Sequence, residues 1–142
     1  MSDKGAIRIL IIDDDLEFAD LLRMHLSAAG YVAEVAEDAV EGGKALLARA
    51  PALVLCDINL PYLSGLELMS LMRSDARSAS IPVVFVSGRT DGDTMARAVE
   101  LGAADFLAKP VTREQLLESV EACLQVGGRR AAPPDYHFPP VV

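Results

Sequence analysis

The stretch IRILIIDDD, Ile7 to Asp15, decides how this chain is read. Ile7 to Ile12 is apolar apart from Arg8, too short for a typical helix and well suited to a strand buried on both faces. Three carboxylates follow at once. The arrangement then recurs: Leu53 to Cys56 runs into Asp57, Val83 to Val86 into Ser87-Gly88, and Asp105 to Ala108 into Lys109-Pro110. In an open parallel sheet, ligands bind in the crevice at the carboxyl ends of the strands. The spacing therefore gathers Asp13, Asp14, Asp57, Ser87 and Lys109 on one sheet edge. Three carboxylates, a hydroxyl and an ammonium suit a divalent cation plus a phosphoryl group.

Helical stretches separate the strands. Phe18, Leu21, Leu22 and Leu26 form a helical stripe that Gly30 stops. Tyr31 to Val35 reads as a second strand, and Asp38 with Glu41 as a cap before a helix carrying Ala45, Leu46 and Leu47. Gly42 and Gly43 are local weak points in that helix. Gly65 opens a third helix through Leu66, Met69 and Met72; Thr90 to Leu101 makes a fourth, ended by Gly102; Thr112 with Gln115 caps a fifth. Five β-α units in regular alternation predict an α/β fold, a parallel sheet covered by helices on both faces.

The chain has 142 residues, enough for one domain, and is 51% hydrophobic, enough for a full core. Its 13 basic residues against 21 acidic give a net charge of −8, which argues against direct contact with a nucleic acid backbone. Met1 to Ala6 is polar, and no apolar run approaches the ~18 residues of a membrane span or resembles a signal peptide. The chain reads as cytoplasmic, without a membrane partner. Cys56 in a buried strand and Cys123 in a late helix lack metal-type spacing and read as reduced packing residues. From Gly127 the composition turns to Gly, Arg and Pro, so residues 1–126 read as the domain and 127–142 as a Pro-rich tail or linker stub. Within that tail Tyr136, His137 and Phe138 are the residues suited to docking.

A hard cation such as Mg²⁺ or Mn²⁺ takes oxygen ligands, typically one or two carboxylates, waters and a substrate phosphate. Asp13, Asp14 and Asp57 supply them, one of the adjacent pair directly and the other through water. Asp15 suits the cap of the first helix better than a ligand role. Asp57 is the candidate nucleophile, because a carboxylate can attack phosphorus and hold it as an acyl phosphate. Lys109 and the cation would neutralise the phosphoryl oxygens, and the Ser87 hydroxyl would donate to one of them.

Asp13-Asp14-Asp15, Asp57-Ile-Asn59-Leu-Pro61 with Gly65, Ser87-Gly88, Gly102-Ala103, Phe106 and Lys109-Pro110 form a set. As a set, over about Ile7 to Val126, it resembles the response regulator receiver domains of two-component signalling. The resemblance implies a flavodoxin-like, doubly wound five-stranded parallel sheet of order 2-1-3-4-5 with five helices. It also implies that Asp57 is the phosphoacceptor, and that Asp13, Asp14, Asp57 and the Asn59 backbone carbonyl bind Mg²⁺. Ser87 and Phe106 would be the switch pair, and the Lys109-Pro110 bond would be cis. Implied partners are a sensor histidine kinase or histidine phosphotransfer protein, and a downstream protein reading the fourth helix, fifth strand and fifth helix through Arg97, Glu100, Glu114 and Glu118.

The chain departs from the family pattern at Gly88, where Ala is usual, and at Val111, where Phe is common. Ala104 stands where DNA-binding members with paired receivers often carry an Asp used in their dimer contact. The expectation is a stand-alone receiver, a signalling switch rather than an enzyme, monomeric or weakly dimeric on phosphorylation. Arg89 and Asn59 would border the path of the hydrolytic water and set the phosphoryl lifetime. Phe106 lacks the hydroxyl of the Tyr often found there, so its ring is expected to lean inward even before phosphorylation. A second reading takes Asp13-Asp14-Asp15 as the D-x-D start of a haloacid dehalogenase-like phosphatase with Asp13 as nucleophile, but it leaves Asp57 unexplained. A third, a docking module without phosphorylation, is disfavoured by the intact Asp57 and Lys109.

Overall fold

The computed structural model describes residues 7–125. The domain boundary at 126 and the tail with Tyr136, His137 and Phe138 lie outside the described residues. In chain order the elements are β1 (Arg8–Ile12), α1 (Leu16–Ala28), β2 (Val32–Ala36), α2 (Ala39–Ala48), β3 (Leu53–Cys56), α3 (Gly65–Arg73), β4 (Val83–Ser87), α4 (Gly92–Glu100), β5 (Asp105–Ala108) and α5 (Arg113–Gln125). The five strands are all parallel in the order β2-β1-β3-β4-β5. This is the expected doubly wound architecture.

Alternation along the strands feeds two cores. In β1, Leu10 and Ile12 join a cluster with Leu46 of α2, Met69 of α3 and Met95 of α4. Ile9 and Ile11 join the opposite cluster with Leu22 and Leu26 of α1 and Leu116 and Val120 of α5. The inner strands are therefore buried on both faces, which is why they read as unbroken apolar runs. Chain order turns back between β1 and β3, and this is the point at which such sheets open a crevice.

Four details of the sequence reading change. β2 starts at Val32 rather than Tyr31, because the Tyr31 amide donates to the Leu26 carbonyl and completes the turn that ends α1. α4 starts at Gly92 rather than Thr90, because the Asp91 side chain accepts from the Thr94 amide and caps it. Leu21 and Leu47 are 44% and 58% exposed, so neither belongs to the core. Each neighbours a buried leucine, Leu22 and Leu46, and successive helical residues point about 100° apart. Gly42 is not simply a weak point: a Cβ there would crowd the Ile12 side chain, so the absence of one eases the packing of α2 on β1.

The same logic is stricter at Gly65. Its amide donates to the Ile58 carbonyl (2.8 Å), and a Cβ would overlap the Asp57 carbonyl oxygen, a backbone atom that cannot rotate aside. Ser64 and Glu67 close a capping box over the same helix start. Gly65 thus lets α3 begin directly against the end of β3. Gly65→Ala should lower stability by about 1–3 kcal/mol through overpacking. Gly43→Ala, where a Cβ meets nothing within 4 Å, should raise it by about 0.5–1 kcal/mol. Urea midpoints of the two variants check both signs.

Candidate functional site

Strand register sets the site before any side chain is considered. Ile12 pairs with Cys56, and the Asp57 amide donates to the Ile12 carbonyl (2.9 Å), so Asp13 and Asp57 leave neighbouring strands at one level. On the far side Ser87 pairs with Ala108, and the Lys109 amide donates to the Ser87 carbonyl (2.9 Å), which ties Lys109 to the end of β4. The Lys109-Pro110 bond is cis, as expected.

The side chains then converge. The Lys109 Nζ lies 3.0 Å from Asp13 Oδ2 and 3.1 Å from Asp57 Oδ2, bridging the two carboxylates. Asp13 and Asp57 are buried, while Asp14 is exposed. Asp13 Oδ1 accepts from the Asp15 amide (2.9 Å), and Asp57 Oδ1 accepts from the Asn59 amide (3.3 Å). Asp15 caps α1 by accepting from the Phe18 amide (3.2 Å), the role expected of it. Phe18 in turn places its ring 4.4 Å from the Lys109 Nζ, a contact the sequence did not announce.

Asp13, Asp14 and Asp57 each offer an oxygen within 4.8 Å of the others. Three carboxylates against one ammonium leave negative charge in excess. An all-oxygen, partly solvated set of this kind fits a hard divalent cation.

Burial raises the Asp13 carboxyl above its usual range; the Asp57 charge adds to this, while the Asp15 amide and Lys109 oppose it. For Lys109, burial alone would lower the ammonium, but Asp13 and Asp57 outweigh it and the net shift is upward. The Cys56 thiol donates to the Asp57 carbonyl (3.2 Å) and is pushed up by burial, then by Asp57 and Asp13, so it is no nucleophile at neutral pH. Both cysteines are buried and free, as expected.

Ser87 is fully buried, and its hydroxyl oxygen accepts from the Arg89 amide (3.1 Å). The Arg89 side chain donates to Asp91 (2.9 Å), the residue that caps α4. This clasp between the β4 loop and α4 was also unforeseen. Phe106 is buried, its ring 6.2 Å from that of Phe85 at 50°, so it points inward. Ala104 is buried as well. Arg97, Glu100, Glu114 and Glu118 are exposed, Arg97 lying 3.7 Å from Glu100.

The raised Asp13 carboxyl has a definite sign for stability. The folded chain holds this proton more tightly than the unfolded one, so ionised Asp13 costs stability above its folded value, and the cost fades as pH falls towards 3.8. In chelator at pH 7, Asp13→Asn, which keeps an acceptor for the Asp15 amide, should melt a few degrees higher than the parent. The gap should close towards pH 4. Thermal melts across that range check it.

Comparison with known proteins places this geometry. The response regulator receiver domain family matches residues 9–121. The chain is 35% identical over 118 residues to the DNA-binding dual master transcriptional regulator RpaA of Synechocystis, covering 83% of this chain and 49% of that protein. It is 30% identical over 131 residues to the phosphate regulon transcriptional regulatory protein PhoB of Pseudomonas aeruginosa, covering 92% and 56%. The chain thus spans about half the length of the curated relatives it matches. Among solved structures, a CheY-like receiver domain protein from Methanospirillum hungatei superposes with a TM-score of 0.81 at 30% identity, over 85% of this chain and 95% of that one. The receiver domain of NtrX from Brucella abortus gives 0.77 at 34% identity, over 82% and 98%. Sequence and fold agree on the family, and nothing in either favours the phosphatase reading: this chain belongs to the response regulator receiver domains of two-component systems.

Proposed function

We propose that this receiver is a Mg²⁺-dependent phosphoryl switch with Asp57 as the phosphoacceptor. The observation that carries the reading is the Lys109 Nζ, 3.0 Å from Asp13 and 3.1 Å from Asp57, beside a third carboxylate, Asp14, on one sheet edge. An Asp57 oxygen forms the new O–P bond while the N–P bond of a phosphohistidine breaks, its electron pair going to the imidazole nitrogen. Lys109 is already in place to neutralise a phosphoryl oxygen, so little reorganisation accompanies transfer. Asp13, Asp14, Asp57 and the Asn59 backbone carbonyl would hold Mg²⁺ or Mn²⁺. When bound, the ion supplies positive charge to the phosphoryl oxygens.

The signal leaves through Ser87. Its hydroxyl donates to the new phosphoryl oxygen, and the Arg89–Asp91 clasp carries that movement to the cap of α4. Phe106, already inward against Phe85, fills the space beside the β4 loop. The α4-β5-α5 face, with Arg97, Glu100, Glu114 and Glu118, is what a downstream protein reads. Arg89 and Asn59 border the path of the hydrolytic water. The donor is a sensor histidine kinase or a histidine phosphotransfer protein. The receiver works in the cytoplasm as a monomer or weak phosphorylation-dependent dimer, and a net charge of −8 favours protein partners over nucleic acid. Among the described residues no helix is long and apolar enough to cross a membrane.

Incubation with a small acyl phosphate and Mg²⁺, followed by mass mapping, tests the assignment. The phosphate should fall on Asp57 alone, and Asp57→Asn should abolish labelling; labelling of that variant at the parent rate contradicts the reading. With Mg²⁺ present, Lys109→Ala should keep the fold and bind the ion at least as tightly, since a competing cation is removed. It should lose partner binding on phosphorylation by ~10-fold or more, about 1.4 kcal/mol of coupling. Calorimetry with Mg²⁺ and a partner-binding titration check the two halves.

A further inference from the structure

We propose that Phe18 is a positioning residue of the phosphoryl site, its ring holding the Lys109 ammonium in the pose that meets Asp57. A lysine side chain is long, flexible and strongly hydrated, and its ammonium has three donors. Asp13 and Asp57 take one side of the Lys109 Nζ at 3.0 and 3.1 Å. The Phe18 ring covers another, its centroid 4.4 Å from the nitrogen. The face of an aromatic ring is negative and attracts a cation within about 6 Å, an attraction that strengthens as water is excluded. Only 22% of the Lys109 side chain is exposed, so it is partly shielded from water.

Phe18 itself is fixed by the acidic run at the end of β1. Asp13 Oδ1 accepts the Asp15 amide, Asp15 Oδ1 accepts the Phe18 amide, the Phe18 ring lies against Lys109, and Lys109 returns to Asp13. The circuit closes on itself. It gives the third aspartate a part in the site without requiring it to reach a cation: Asp15 sets the ring that sets the lysine. An aliphatic residue at position 18 would exclude water equally well but would exert no pull on the ammonium. Phe18 makes and breaks no bond. It acts by keeping Lys109 in register, so that less of the transfer rate is lost to searching.

The inference rests on the phosphoacceptor reading of Asp57 for its effect on rate, so the test carries a readout that does not depend on phosphorylation. Phenylalanines of increasing fluorination, incorporated at position 18 of the full chain, weaken the ring's negative face while nearly preserving its shape. Two quantities are read: the rate of Asp57 labelling by acetyl phosphate at saturating Mg²⁺, and the NMR order parameter of the Lys109 Cε in the unphosphorylated protein. The rate should fall stepwise, roughly 3- to 10-fold at the most fluorinated ring, with the Lys109 order falling in parallel. Mg²⁺ affinity should not weaken. Phe18→Tyr should keep the parent rate, and Phe18→Leu should drop to the level of the fluorinated ring. A flat rate and flat order across the series, or Phe18→Leu matching the parent in both, overturns the proposal. A parent that takes no phosphate on Asp57 overturns the phosphoacceptor reading instead, and the Lys109 order still decides the part played by Phe18.

Discussion

Three carboxylates converging on one edge of a sheet repel one another, and the Lys109 ammonium between Asp13 and Asp57 is the charge that lets two of them be buried there. Much of the surrounding structure can be understood as holding those groups in place. Register across β1 and β3 puts the two aspartates at one level, and pairing across β4 and β5 brings Lys109 back to them. The charge balance is incomplete by design of the residues present: one ammonium meets three acidic side chains. That deficit is what makes the site receptive to a divalent cation, and a phosphoryl group would in turn offer Lys109 a new partner.

The frame around these charges is stiff on one side and jointed on the other. Towards β3 the backbone is locked, with α3 packed so tightly on the Asp57 carbonyl that only glycine fits at position 65. Towards β4 the links are single hydrogen bonds, from the Arg89 amide to the Ser87 hydroxyl and from the Arg89 side chain to the Asp91 cap. At Gly88, between them, an added Cβ would meet nothing within 4 Å. On the proposed reading, a group that reorients Ser87 acts through these bonds on the cap of α4. The Phe85–Phe106 contact holds the Phe106 ring inward beside β4.

Most of the architecture was legible because it rests on local chemistry. Apolar runs ending in Asp13, Asp57, Ser87 and Lys109 placed four strand ends, and the caps at Asp15, Asp38 and Thr112 behave as read. The α3 capping box, Ser64 with Glu67, was equally legible and was overlooked. What was hidden depends on geometry between distant segments. The Phe18–Lys109 contact joins α1 to the residue after β5, and no spacing rule foretells it. Gly42 reads as a defect in a helix, yet a Cβ there would crowd the Ile12 side chain. Leu21 and Leu47 look like core residues in a list of leucines, but one step along a helix turns a side chain out to solvent. Tyr62 sits at φ 72°, in a region that favours glycine, where the Leu63 amide turns back to the Pro61 carbonyl; nothing in its residue type announces that backbone.

Lys109 is the shared counter-ion of Asp13 and Asp57, and on the proposed reading a phosphoryl-like ligand is felt through it. Side-chain NMR of the Lys109 ammonium with Mg²⁺, before and after addition of beryllium fluoride as a phosphoryl mimic, tests it most directly. The Lys109 signal should shift on addition of the mimic together with the Phe106 ring and the α4 amides, and Asp57→Asn should abolish all three responses. Binding of the mimic with the Lys109 signal unchanged would contradict it.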